Sequence, residues 1–226
     1  YGIYVANAPG TKILKNKIYN LNGTAAATIK GIYYSGSSGV TMTVDIENNS
    51  IGLSPVTTGT VDGIDYFGYA ANSVNIYYNS VYIGGTLASG SNGSFGIRKR
   101  DALVTYNQKD NAVHNTRTNS GGTGVHYAIY VSNTTGTLSM DYNDYFVSGT
   151  GGVLGYWSAT NQPTLTEWKT ASSQDASSIA SDPMFVSETN LKPFTGSPVL
   201  AAGTPIVGIT TDIEETSRNV TNPSIG

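Results

Sequence analysis

Four small groups of residues in this chain have types and spacings suited to chemistry. Asp45 and Glu47 stand two apart, so an extended strand would put both on one face. Hydrolysis of a sugar bond uses two such carboxylates, one as acid and one as base or nucleophile. Asp141, Asn143 and Asp144 are dense in oxygen, which suits a hard cation such as Ca2+, but they lack the spacing of a calcium-binding loop. The only histidines, His114 and His126, have no metal set and no Ser/His/Asp arrangement around them, and they read as ordinary surface residues. Asp65 and Arg98 carry opposite charges and become neighbours if the chain repeats at their spacing.

It does repeat. The phrase apolar-x-apolar-x-x-Asn-x-apolar places its four key positions at Thr11, Ile13, Asn16, Ile18 and at Val44, Ile46, Asn49, Ile51. It returns at Val74, Ile76, Asn79, Val81, then at Tyr106, Gln108, Asn111, Val113 and at Leu138, Met140, Asn143, Tyr145. The asparagines Asn16, Asn49, Asn79, Asn111 and Asn143 recur at intervals of 33, 30, 32 and 32 residues, the mark of a repeat architecture. Alternation, a two-residue break and renewed alternation describe two short strands joined at a tight corner. The Asn is expected to supply the corner, because it tolerates the left-handed backbone region, and to bond through its amide to the Asn one coil away.

A second ladder, Gly2-Ile3, Gly31-Ile32, Gly63-Ile64, Gly96-Ile97 and Ala128-Ile129, predicts a third strand per period. If its Ile points inward, the next residue points out. That column reads Tyr4, Tyr33, Asp65, Arg98, Tyr130, with coils ~4.8 Å apart. Two positions on it reads Ala6, Ser35, Phe67, Arg100, Ser132. Asp65 and Arg98 are then adjacent, as a surface ion pair if they have no other role. Lys99 would point inward on strict alternation and is expected instead to snorkel out at the strand end. Asp45 and Glu47 fall beside Lys12 and Leu14 on one side and Asn75 and Tyr77 on the other, a solvated face. His114 joins the outward column Tyr19, Gly52, Tyr82, His114, Phe146.

The chain's 226 residues suit one solenoid domain, with coils expected at 11–34, 39–67, 72–99, 102–131 and 136–157. Charged residues make up only 12%, against ~25% in an average globular protein, so Gly, Ser, Thr and Asn fill the outside. A net charge of −3 without a basic run gives no footprint for nucleic acid. No stretch reaches the ~20 apolar residues of a membrane helix, so no membrane insertion is expected. Without cysteine there is neither disulfide nor thiolate chemistry. Thr164 followed by Glu167 is a capping box that opens a short helix, with Leu165 and Trp168 on one side to cover the end of the stack.

The five asparagines in register resemble the right-handed parallel β-helix of the pectate-lyase-like family, over roughly residues 1–160. The pattern weakens at Gln108, where the family has an aliphatic residue. Residues 161–226 hold the short helix and a tail: Asp182-Pro183-Met184-Phe185, Leu191-Lys192-Pro193, Gly196-Ser197-Pro198 and Ala202-Gly203. These resemble the C-terminal cap of many secreted bacterial β-helix proteins, and the chain reads as a piece of a longer secreted one.

The resemblance implies an all-β solenoid of about five three-strand coils, and a strand face that often lines a saccharide groove. On it Tyr4, Tyr33 and Tyr130 would stack on sugar rings, while Asp65 holds a cation or substrate and Arg98 stands near an abstracted proton. Family lyases cluster several Ca2+-binding carboxylates, and this column has one. The expected function is therefore a non-catalytic structural or adhesive module of a bacterial surface or secreted protein, without cofactor, Ca2+ being the weak exception. It would self-associate, or meet the rest of its native chain, at the open first coil. The alternative is a polysaccharide lyase, a glycoside hydrolase or a glycan-binding module using the Asp65/Arg98 face.

Overall fold

A computed structural model describes residues 1–23, 26–36, 41–69 and 72–226. They form a parallel β-solenoid of about four turns, slightly fewer than the five expected coils. The first sheet stacks Ile3–Ala6, Ile29–Ser35, Val61–Phe67, Ser94–Lys99, His126–Val131 and Gly152–Trp157 in parallel, and the antiparallel Thr160–Gln162 completes it. The second stacks Lys12–Leu14, Met42–Glu47, Asn72–Tyr77, Thr105–Lys109 and Thr137–Asp141. The third stacks Lys17–Tyr19, Ser50–Leu53, Ser80–Ile83, Ala112–Asn115 and Asp144–Val147. The expected coil start at Gly39 lies outside the described residues.

Register follows the repeat. Ile3, Ile32, Ile64, Ile97 and Ile129 pair in one column, and Ile18, Ile51, Val81, Val113 and Tyr145 in another. Most of these aliphatic side chains are fully buried, each contributing about 1.5–3 kcal/mol of burial. No helix among the described residues is long and apolar enough to cross a membrane.

The corner differs from expectation in one respect. The left-handed residues are not the ladder asparagines but those just before them: Lys15, Asn48, Tyr78, Asp110 and Tyr142, with φ of 55°, 55°, 52°, 58° and 56°. The asparagines are needed for bonding instead. Asn16 Nδ2 donates to Asn49 Oδ1 at 2.9 Å, Asn49 to Asn79 at 2.9 Å, Asn79 to Asn111 at 2.9 Å and Asn111 to Asn143 at 3.0 Å. The same amides of Asn49, Asn79, Asn111 and Asn143 reach back to the carbonyls of Ile13, Ile46, Ile76 and Gln108. Buried corner groups that would otherwise be orphaned are thereby paired.

Gln108, the weak point of the pattern, is satisfied inside the core: Tyr106 donates to its Oε1 at 2.6 Å and its Nε2 donates to Tyr145 at 2.7 Å. The helix Leu165–Ser172 opens on the expected capping box. Its Trp168 is fully buried against Trp157 and Tyr145. The isoleucine column gives way to Gly155 there, where a Cβ would come within 2.6 Å of the Trp168 ring.

After the helix the chain does more than cover the end. It runs back beside the Asn corner to the first coil. Ser181 N donates to Asp144 and Thr204 N to Asp110. Asn48 then donates to the Thr211 carbonyl, and Lys15 and Lys17 pair with Glu215 and Glu214.

Candidate functional site

The residues that share the outward face of the first sheet are set by a glycine column. Gly31, Gly63 and Gly96 fall between the paired positions of the register. A Cβ on them would stand only 2.4, 2.4 and 2.2 Å from side-chain methyls of Ile51, Val81 and Val113. Each glycine therefore faces the core together with the isoleucine after it, alike in successive rungs and without a shift of register. Lys30 and Tyr33, and likewise Asp62 and Asp65, end on the same outer side.

The expected column is in register: Tyr4, Tyr33, Asp65, Arg98 and Tyr130 are successive Cα partners, and Tyr156 extends it. The side chains pair differently. Arg98 Nη1 donates to Asp62 Oδ1 at 3.3 Å, while Asp65 accepts from Arg100 through Nε at 3.0 Å and Nη2 at 2.8 Å. Lys30 Nζ bonds Asp65 Oδ2 and lies 3.1 Å from Asp62 Oδ2, a distance that makes an ion pair although the alignment is poor for a hydrogen bond. Asp65 and Arg98 are thus backbone neighbours but not ion-pair partners. Nor is Asp65 a surface group, since both aspartate side chains are fully covered.

Electrostatics follow from that burial. Desolvation and the nearby Asp65 push the Asp62 carboxyl up, and Lys30 and Arg98 oppose them. Burial alone would lower the Lys30 ammonium, but Asp62 and Asp65 together hold it above the usual lysine range. Aromatic rings close both ends of this lattice. Tyr1 and Tyr4 stack on Tyr33 at 5.6 and 5.1 Å, and Tyr130 stacks on Tyr156 at 4.4 Å. Lys30 stands over Tyr33 and Arg98 over Phe95, at 4.2 and 4.0 Å from the ring centres.

The other candidates stay apart from this face. Asp45 and Glu47 keep the expected neighbours, Lys12 and Leu14 below and Asn75 and Tyr77 above. Asp45 ends an outer amide ladder, with Asn107 donating to Asn75 and Asn75 to Asp45, each at 2.8 Å. Burial and Asp45 together raise Glu47. Asp141, Asn143 and Asp144 do not converge: Asp141 accepts from the amides of Tyr142 and Ser177, Asn143 belongs to the corner ladder, and burial pushes Asp144 up to about 8. Among the described residues, no group of three or more His, Cys, Asp or Glu is placed to hold a metal ion.

The histidines are buried, contrary to expectation. His114 keeps its column between Tyr82 and Phe146, 8% exposed, with Asp182 of the returning segment 3.7 Å away. His126 is fully covered; Nδ1 lies 3.0 Å from Ser94 Oγ and Nε2 3.1 Å from Asn119 Oδ1. That Ser–His–Asn line, drawn from two adjacent rungs, is closed off from solvent at Ser94 and His126. Burial and nearby Arg117 lower His126 to about 4, so it is neutral. Arg117 is itself buried, its guanidinium held by the carbonyls of Thr57, Gly59 and Gly93. Lys99 also stays inside, donating to the carbonyls of Asp101 and Asn133 at 2.7 and 2.5 Å rather than reaching solvent.

Compared with known proteins, the chain matches no family model, no curated protein and no solved structure. An open cleft of about 460 Å³ lies within the returning segment itself, among Lys192, Leu200, Asp212, Arg218 and Ile225, and takes no residue from the first sheet.

Proposed function

We propose that this chain is a non-catalytic structural or adhesive module of a secreted or cell-surface bacterial protein, built on a pectate-lyase-like β-helix. One observation carries this reading. Asp62 and Asp65, the carboxylates of the outward face, are fully buried and each is held by two cations. Carboxylates covered and paired in this way tie neighbouring rungs together and present no open face to a bound polysaccharide. The face reads as a cross-braced wall joining successive rungs.

A second reading, glycan recognition without turnover, draws on the tyrosines. Tyr4 is 53% exposed and stacked on Tyr33, a flat apolar surface of the kind that sugar rings cover. The first-coil strands Ile3–Ala6, Lys12–Leu14 and Lys17–Tyr19 end their sheets, and this edge is where we place contact with a second copy or with further chain.

The test is a glycan panel probed with wild type and an Asp65→Ala, Arg98→Ala double variant, with unsaturated uronate monitored in parallel. The structural reading expects no turnover by either protein. Binding that Tyr4→Ala abolishes would establish glycan recognition, and turnover lost in the double variant would establish the lyase alternative.

A further inference from the structure

We propose that Lys30 and Asp65 form an intramolecular isopeptide bond, with Asp62 moving the protons. The three side chains meet across two adjacent rungs of the first sheet. Lys30 Nζ contacts Asp65 Oδ2 and lies 3.1 Å from Asp62 Oδ2. Both carboxylates are fully covered, and the Lys30 side chain is 10% exposed. Amide formation from an amine and a carboxylic acid needs contact, exclusion of water and a group that shuttles protons, and this cluster supplies all three.

The chemistry balances without a co-reactant. The ion pair and its neutral tautomer, amine beside carboxylic acid, hold the same protons; Asp62 and Asp65 keep Lys30 charged at rest, and exclusion of water lowers the cost of passing to the neutral form. Asp62 relays one proton from the Lys30 ammonium to Asp65. The freed amine attacks Asp65 Cγ to give a tetrahedral centre. Arg100, already on both Asp65 oxygens at 3.0 and 2.8 Å, stabilises the charge that develops there. Asp62 then carries a second proton from nitrogen to the departing hydroxyl. The Nζ–Cγ bond forms, a Cγ–O bond breaks, and one water leaves. Arg98, at 3.3 Å from Asp62 Oδ1, anchors the relay. Asp101 is a further charged group nearby, its carboxyl raised by burial and lowered by Arg100 and Lys99.

The product would stitch Ile29–Ser35 to Val61–Phe67 covalently. The proposal stands whether or not the functional reading above holds.

Intact-mass spectrometry of the folded chain is the test, followed by tryptic mapping. The expected result is a mass lower than the sequence mass by one water. Cleavage after Lys30 should be absent, and one fragment should join the Lys30 and Asp65 peptides. Asp62→Asn, checked for native circular dichroism, should fold and keep its full mass. Full mass in the folded wild type would overturn the proposal, as would a water loss mapped elsewhere. A water loss retained in Asp62→Asn would overturn the relay.

Discussion

Asn143 donates its side-chain amide to Asp175 Oδ1 at 3.0 Å, and Asp175 lies 32 residues further on, the same step that separates Asn111 from Asn143. The carboxylate thus occupies a sixth ladder position. It has acceptors but no donor, so the ladder stops there. Trp168 Nε1 at 2.7 Å, Ser178 Oγ at 2.6 Å and Tyr145 Oη at 3.4 Å also donate to it and tie the helix and the returning segment to the stack.

Asp175→Ala should therefore cost about 3 kcal/mol, because buried donors on Asn143 and Trp168 lose their acceptor. Asp175→Asn should cost less, since it can still accept from Asn143 but turns an amide donor toward Trp168. Urea unfolding of the three proteins checks the order.

Burial raises Asp110 to about 7 and Asp144 to about 8, and each accepts a backbone amide of the returning segment. Their unfolded values lie near ~3.9. The folded state holds these protons more tightly, so the stabilisation is complete below about pH 4 and is lost as pH rises through the folded values. Urea midpoints should fall from mildly acidic pH toward pH 8 as far as these groups are concerned. The drop should be smaller in Asp144→Asn, which cannot ionise.

Gly63→Ala should destabilise by about 1–3 kcal/mol, because its Cβ would stand 2.4 Å from Val81 and 2.5 Å from the Gly96 carbonyl oxygen. The same measurement reads it. A neutral result would mean that the glycine column does not set the outer face.

The rungs, the Asn ladder and the column from Tyr4 to Tyr130 were legible because each depends on a period, and a period survives without knowledge of contacts. The ion-pair partners were not. Strict alternation puts Lys30 and Asp62 on the side opposite to Tyr33 and Asp65 only if the intervening glycine counts as an ordinary strand residue. The recurring glycine before each ladder isoleucine was the available signal that two adjacent positions face inward together. The left-handed residue was misplaced for a related reason: Asn suits both roles, but only its amide can reach the next rung.

The returning segment has no period of its own, so its path along the corner could not be read from spacing. It accounts for buried His114, which Asp182 approaches, and for Gly52, where a Cβ would come within 1.8 Å of the Glu188 carbonyl oxygen. Burial of His126 depends on Asn115, Arg117 and Asn119 gathering beside Ser94, a meeting of residues from different strands and corners.

The central claim is that the outward face of the first sheet braces the rungs rather than performing catalysis. The most direct test is the urea midpoint of Asp65→Ala beside wild type. Bracing predicts a loss of about 3 kcal/mol, because Lys30 and Arg100 would each lose a buried partner. A midpoint unchanged or raised would contradict the account, since a side chain kept for activity at a cost in stability behaves that way when removed.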